Sequence, residues 1–196
     1  MTKNSEKSKI IVGISGGVDS SVAAMLLKEK GYDIEALFMK NWNDQTEDGE
    51  CLWEDDVEDA MQVCDKLNIP LNTVDLSRDY WEKVFKNFLT EYKSGRTPNP
   101  DVLCNKEIKF KAFLEYAESL GAEKIATGHY ACKNVEGDSI QLLKSIDDNK
   151  DQSYFLCCLS QNQLDKTLFP IGDLCKDKVR KLAKNAGLIT HDKKDS

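Results

Sequence analysis

The β-branched run at residues 9–13 stops in a glycine turn, Ser15-Gly16-Gly17-Val18-Asp19, and a helical apolar period starts directly behind it. The run reads as a buried strand. The helix reads from Ser20 to Lys30, with Val22, Ala23, Leu26 and Leu27 on one face and Gly31 as its C-terminal stop. Further strands are expected at 34–39, 71–75, 124–127 and 140–143. Helices are expected at 55–67 (Val57, Ala60, Met61 and Cys64 inward), at 80–92 (Val84, Phe85, Phe88 and Leu89 inward), from Asp101 through Ile108 and Phe113 to Leu120, and at 176–186. Residues 41–50 and 95–100 read as loops. Strand and helix in alternation predict an α/β fold: one open parallel sheet with helices on both faces. Ligands of such sheets bind beyond the carboxyl ends of the strands, where the loops at Ser15, Met39, Asp75 and Gly128 fall.

The first of those loops has the chemistry of an anion site. Gly16 and Gly17 let the backbone approach an anion and turn N–H groups toward it. The helix N-terminus adds partial positive charge. Ser15, Ser20 and Ser21 carry hydroxyl donors. Asp19 is the odd member, because a carboxylate beside a phosphate calls for a cation between them, and Mg²⁺ is the natural one. The lysine of G-x-x-x-x-G-K-[ST] is absent and G-x-G-x-x-G is not matched, so this is neither a P-loop nor a dinucleotide loop. A serine-capped helix after a glycine turn is the plain structural alternative.

The segment resembles the SGGxDS[ST] signature of the ATP pyrophosphatases, the PP-loop enzymes of Rossmann-like, adenine nucleotide alpha-hydrolase-like fold. The resemblance implies cleavage of ATP between its α- and β-phosphates and transfer of AMP to a substrate oxygen. It leaves the substrate open, because amidotransferase-type synthetases and tRNA-modifying enzymes share the signature.

Composition sets broad limits. The 196 residues are 40% hydrophobic and 31% charged, which describes a globular chain. One domain covering 1–196 fits that length. No apolar run approaches the roughly 20 residues of a membrane span. The polar start and the short apolar run at 10–12 do not make a signal peptide, so the cytoplasm is the expected compartment. Seven cysteines, an odd number at irregular spacing with no C-x-x-C, argue against a disulfide framework, a zinc ribbon or an iron–sulfur cluster. Most are expected to be small buried groups. The net charge of −7 is uneven: residues 44–59 hold nine acids and no base, and without them the balance is +2. Residues 176–194 run the other way, with seven basic residues against two acids. Each run is either a solvated surface or, for the basic one, a patch that meets phosphates.

A second loop carries Thr97-Pro98-Asn99-Pro100-Asp101-Val102-Leu103-Cys104-Asn105-Lys106. Two prolines stiffen it. Asp101 reads as the N-cap of the next helix, with Cys104 three residues on, where the helix N-terminus and Lys106 would favour a thiolate. Residue chemistry alone leaves Cys104 either a packed cysteine or a reactive thiol, and Asp101 a candidate proton acceptor.

This stretch resembles T-P-N-P-D-x-L-C-N-x-x-I-K-F of the tRNA-specific 2-thiouridylases. Leu37 to Trp42, Ala126 to Tyr130, Lys150 to Leu156 and Lys193 to Ser196 agree with the same family, so the resemblance runs from residue 9 to the end. It implies that Gly13, Ile14, Ser15, Gly16, Gly17, Val18, Asp19, Ser20 and Met39 hold ATP, with Gly128 at the adenine nucleotide. It implies that Asn99, Pro100 and Asp101 contact the target base, that Cys104 is catalytic, and that Lys150, Asp151 and Gln152 contact tRNA. The reaction implied is adenylation of C2 of a wobble uridine, then sulfur delivery from a cysteine persulfide fed by a cysteine desulfurase and a relay protein.

Family members are longer and carry a second cysteine just beyond Lys-Lys-Asp-Ser, whereas this sequence stops at Ser196. It is therefore expected to be the catalytic domain without the central and C-terminal domains that help hold tRNA. Cys157 and Cys158 sit in a strand-like apolar run and read as core rather than as substitutes. His129 reads as a core histidine bonded to backbone. Two rivals remain: a small-molecule PP-loop ligase, and a nucleotide-binding module without turnover.

Overall fold

The computed structural model describes residues 8–42, 53–137 and 139–194. Five strands form one parallel sheet in the order β3-β2-β1-β4-β7: β1 (Lys9–Ile14), β2 (Asp33–Lys40), β3 (Leu71–Asp75), β4 (Lys124–Ala126) and β7 (Thr167–Leu168). β5 (Ala131–Glu136) and β6 (Ser139–Lys144) form a separate antiparallel hairpin. The helices are α1 (Val18–Glu29), α2 (Glu54–Leu67), α3 (Ser77–Tyr80), α4 (Lys86–Lys93), α5 (Pro100–Cys104), α6 (Phe113–Ser119), α7 (Gln161–Lys166) and α8 (Lys176–Asn185). Among the described residues, no helix is long and apolar enough to cross a membrane.

The central strand explains the two-sided architecture. Ile10, Val12 and Ile14 point into one core with α1, α2 and α8; Ile11 points into the other with Leu37, Ile125, Phe110 and Phe113. Every one of these side chains is at most 5% exposed or less, so β1 is sandwiched and needs apolar residues at consecutive positions. The sheet reverses its order between β1 and β4, and a crevice opens at that switch point beyond the strand ends. The glycine loop leaves β1 on one side of it and Gly128 follows β4 on the other.

Several local expectations need correction. In α2 Ala60 and Cys64 face inward as expected, but Val63, 1% exposed, takes the place given to Met61, which is 53% exposed. The helix expected at 80–92 starts at Ser77 and passes through a π-helical stretch, Trp81–Phe85; another, Asn105–Ala112, joins α5 to α6. A wider turn rotates the faces that follow, which an even 3.6-residue period does not foresee. Asp101 is not the N-cap of α5. Asn99 is, its side chain accepting from the N–H groups of Asp101 and Val102, because Pro100 takes the first helical position. Cys157 and Cys158 are not core: the apolar run folds as a 3₁₀ turn, Ser153–Leu156, which buries Leu156 and leaves both cysteines exposed. Of the described cysteines, Cys64 and Cys104 are buried, Cys132 is half-buried, and Cys175 is also exposed. The loop expected at 41–50 and Cys51 fall largely outside the described residues, as do Asp195 and Ser196.

Candidate functional site

The crevice encloses about 450 Å³ and is lined by Gly13, Ile14, Ser15, Asp19, Ser20, Met39, Gly128 and Gln152 among the residues singled out from sequence. The loop between β1 and α1 is pre-folded by its own groups. Ser15 N–H donates to Ser20 Oγ at 3.2 Å, and Ser20 and Ser21 hydroxyls both donate to the Gly17 carbonyl. Ser21 is fully buried and also accepts from Thr190, so it holds the loop rather than facing a ligand. Val18 is core. No side chain caps α1, which leaves its first-turn N–H groups to an anion. Gly16 has φ 72°, and a Cβ there would lie 2.3 Å from the Asp56 carbonyl oxygen. Gly128 is tighter against the loop itself: a Cβ would lie 2.6 Å from Ser20 N and 2.7 Å from Asp19 C.

Asp19 has partners that its neighbours in sequence do not announce. Lys176, at the start of α8, donates to both its carboxylate oxygens at 2.9 and 2.7 Å, and the Tyr130 hydroxyl donates at 2.8 Å. The Lys176 side chain is only 10% exposed. Lys176 was expected to contribute to a surface basic run; it is instead a buried counter-charge at the phosphate loop. Lys193 of the same run pairs with Asp56 at 2.7 Å and with Asp59, and Arg180 donates to the carbonyls of His191 and Lys193. The exposed remainder includes Lys178, Lys181 and Lys184. Among the described residues, Asp19 and Asp56 are the carboxylates lining the crevice.

His129 is not a core residue bonded to backbone. It lines the crevice, its Nδ1 lies 2.9 Å from Thr127 Oγ1, and its ring leans on Phe110 at 5.6 Å. Burial, and secondly Lys109, push its pKa down to about 3, so the ring is neutral. Gln152 shapes the wall, accepting from Tyr130 N–H and donating its own N–H to the Tyr130 carbonyl. Asp151 braces the neighbouring turn, accepting from Ser145 and Ser153. The Lys150 N–H is held by the Asp147 carbonyl.

The second group stands apart from the first. Asn99 and Pro100 line a smaller cavity of about 200 Å³. Asp101 is exposed. Cys104 is 9% exposed, in an apolar cluster with Leu76, Val84 and Ile108. Burial raises its thiol pKa, Lys109 opposes this, and Asp101 adds to it. The thiolate expected from the helix start and Lys106 is therefore not what this environment favours; Lys106 pairs with Glu107 instead. Two residues relate the two groups. Lys109 lines the crevice and acts on the Cys104 thiol. Met39, at the end of β2, lines the crevice and packs against the Cys104 cluster. Lys109, Trp53, Asp56 and Thr127 also line the crevice and were not singled out; Asp56 lay hidden in an acidic run that looked solvated.

A parallel sheet with a glycine-hydroxyl loop at its switch point, closed by a glycine from the neighbouring strand, defines a nucleotide-binding α/β protein of the PP-loop type. The model of the tRNA methyl transferase HUP domain family matches residues 8–196, and the chain belongs to that family. It is 59% identical over 196 residues to the tRNA-specific 2-thiouridylase MnmA of Bacillus pumilus, covering all of this chain and 53% of the relative. It is 62% identical over 190 residues to the protein of the same name from Hydrogenovibrio crunogenus, covering 96% of this chain and 50% of the relative. The chain thus spans about half the length of the curated relatives it matches. Among solved structures, a 4-thiouridine synthetase–RNA complex with bound ATP superposes with a TM-score of 0.66 at 18% identity, over 94% of this chain and 42% of that one. That likeness is one of fold.

Proposed function

We propose that this chain is the ATP-using catalytic part of a tRNA 2-thiouridylase, adenylating C2 of a wobble uridine so that sulfur can replace its oxygen. The observation that carries the reading is the placement of Met39: one side chain touches both the phosphate-loop crevice and the cluster that holds Cys104. An adenylating centre and a thiol must share one substrate atom in turn, and Met39 stands between the two.

ATP lies with its phosphates on the N–H groups of Gly16, Gly17 and the first turn of α1, where charge develops on departing pyrophosphate. Gly128 packs on that turn and fixes the nucleotide's depth. Lys176 balances Asp19 before ATP enters. The two crevice carboxylates, Asp19 and Asp56, suit Mg²⁺, which is held by one or two carboxylates together with substrate phosphates. Held there, Mg²⁺ would neutralise phosphate charge. Asn99, Pro100 and Asp101 meet the unstacked base, and Asp101 takes a proton from it or from a thiol. Cys104 releases sulfur from a persulfide by closing a disulfide with the persulfide-bearing cysteine. The persulfide is supplied by a cysteine desulfurase through a relay protein. Lys150, Asp151, Gln152 and the exposed bases of α8 hold tRNA. Residues 1–196 act as one catalytic domain.

The test is pyrophosphate release from ATP, with and without a tRNA transcript carrying U34. Release that needs the transcript, and is lost when U34 is replaced by C, supports the proposal. Equal release without RNA favours a small-molecule ligase, and no release in either case favours a nucleotide-binding module.

A further inference from the structure

Cys157 and Cys158 take no part in the reaction proposed above. Both are exposed immediately after Leu156, whose 1% exposure pins the 3₁₀ turn to the core. Their sulfurs lie 3.9 Å apart. Consecutive Cα atoms across a trans peptide are about 3.8 Å apart, short of the roughly 4.4–6.8 Å that a relaxed disulfide spans. The two thiols are therefore poorly placed to bond each other. They are well placed to bond one third atom: two sulfurs each about 2.3 Å from a tetrahedral centre lie about 3.8 Å apart, and a pyramidal centre needs only a small side-chain rotation to bring them closer.

The surroundings select among thiophilic centres. Cys158 lines the 200 Å³ cavity, whose floor is largely apolar (Val84, Phe88, Pro98 and Leu103) with Asn87, Asn99 and Lys106 also on its wall. Among the described residues, no carboxylate or imidazole lines that cavity and no group of three or more metal-ligating side chains exists. A divalent metal would lack its third and fourth protein ligands. A trivalent metalloid with one organic substituent needs only two sulfurs, and its substituent finds an apolar seat.

We propose that Cys157 and Cys158 form a bidentate thiol site for trivalent organoarsenicals, the arsenic held by both sulfurs and its apolar substituent in the cavity lined by Phe88 and Leu103. The condensation is R–As=O + 2 Cys–SH → R–As(S–Cys)₂ + H₂O. Two As–S bonds form, the two S–H bonds and the As=O bond break, both protons leave in the water, and nothing is oxidised or reduced. The site shares its cavity with Asn99 and Pro100, proposed above to meet the target base, but thiol capture does not require that reading and survives its failure.

The experiment uses the reduced 196-residue chain and one equivalent of phenylarsine oxide, read by intact mass. One adduct is expected, with the mass of the reagent less one water. It should withstand excess glutathione and come off with 2,3-dimercaptopropanol, the mark of two-sulfur capture. Cys157→Ser and Cys158→Ser should each lose the glutathione-resistant adduct, while Cys132→Ser and Cys175→Ser keep it. An adduct that glutathione removes, or one that persists in the Cys157→Ser/Cys158→Ser double variant, overturns the site. Phenylarsine oxide should be retained longer than methylarsine oxide; equal retention overturns the part assigned to the cavity.

Discussion

Gly128→Ala puts a methyl group where the fold has no room. Its Cβ would meet Ser20 N at 2.6 Å and Asp19 C at 2.7 Å. Ordinary carbon contacts begin near 3.5 Å, so something must move by about 0.9 Å. Both obstacles are backbone, and α1 cannot retreat, because Val22, Ala23 and Ala24 behind it are fully buried. Overpacking of this kind costs about 1–3 kcal/mol. For a chain of this size that lowers Tm by about 2–12 °C. The movement also falls on the N–H groups meant for phosphate, where a displacement near 1 Å can cost on the order of 100-fold in turnover. Scanning calorimetry should show the Tm loss, and titration with ATP should show affinity reduced at least tenfold. Gly17→Ala is the internal comparison. Gly17 has φ −95°, and its Cβ would meet only Ser15 Oγ at an ordinary 3.5 Å, so the Tm should hold. A Gly128→Ala protein with unchanged Tm and ATP affinity would refute the packing argument.

Other outcomes follow from the same geometry. Asp19→Asn strips a nearly buried ammonium of its partner and should cost stability as well as Mg-ATP affinity. Breaking a buried pair costs about 3–5 kcal/mol, and the 30% exposure of Asp19 places this pair at the lower end. Adding Lys176→Met should restore part of the loss, with a coupling of about 0.5–3 kcal/mol in a denaturation cycle; strict additivity would remove the pair from the account. His129 has its folded pKa near 3 against 6.5 unperturbed, so between those values the unfolded chain binds the extra proton. Stability therefore rises with pH across that window and gains nothing from this group above it; a His129 NMR titration midpoint near 6.5 would contradict this. Replacing Lys178, Lys181 and Lys184 with alanine should flatten the salt dependence of tRNA binding measured by filter retention, since each phosphate contact adds to the slope; an unchanged slope moves the RNA elsewhere. Cys104→Ser should leave tRNA-dependent pyrophosphate release intact, because the thiol acts after adenylation in the proposed order; loss of release with retained Tm would put Cys104 in the earlier step.

The parallel sheet was legible because its signal is local. A buried central strand demands consecutive apolar residues, and residues 10–12 supply them next to a glycine turn that has few other uses. The glycine turn behind β1 and Gly128 beyond β4 were legible for the same reason, each being a short run past a strand end. The helix phase was harder. Met61 and Val63 are both apolar, and only packing decides that Val63 faces α1 and the sheet. The cap of α5 could have been read correctly, since a proline at the first helical position makes the preceding Asn99 the cap. Nothing local marks Tyr130 or Lys176 as partners of Asp19, because the contacts join residues 111 and 157 positions apart. The outward turn of Cys157 and Cys158 was likewise hidden: Phe155, Leu156 and Leu159 around them read as strand until a 3₁₀ turn reverses the side chains.

The 157-residue gap between Asp19 and Lys176 also sets a clock on biosynthesis. At about 5–20 residues per second, a ribosome needs on the order of 10–30 s to make the lysine after it has made the aspartate. Throughout that interval the Asp19 carboxylate lacks its ammonium partner. Pairing of Asp19 with its ammonium therefore waits for α8, long after β1 and the loop behind it have been made.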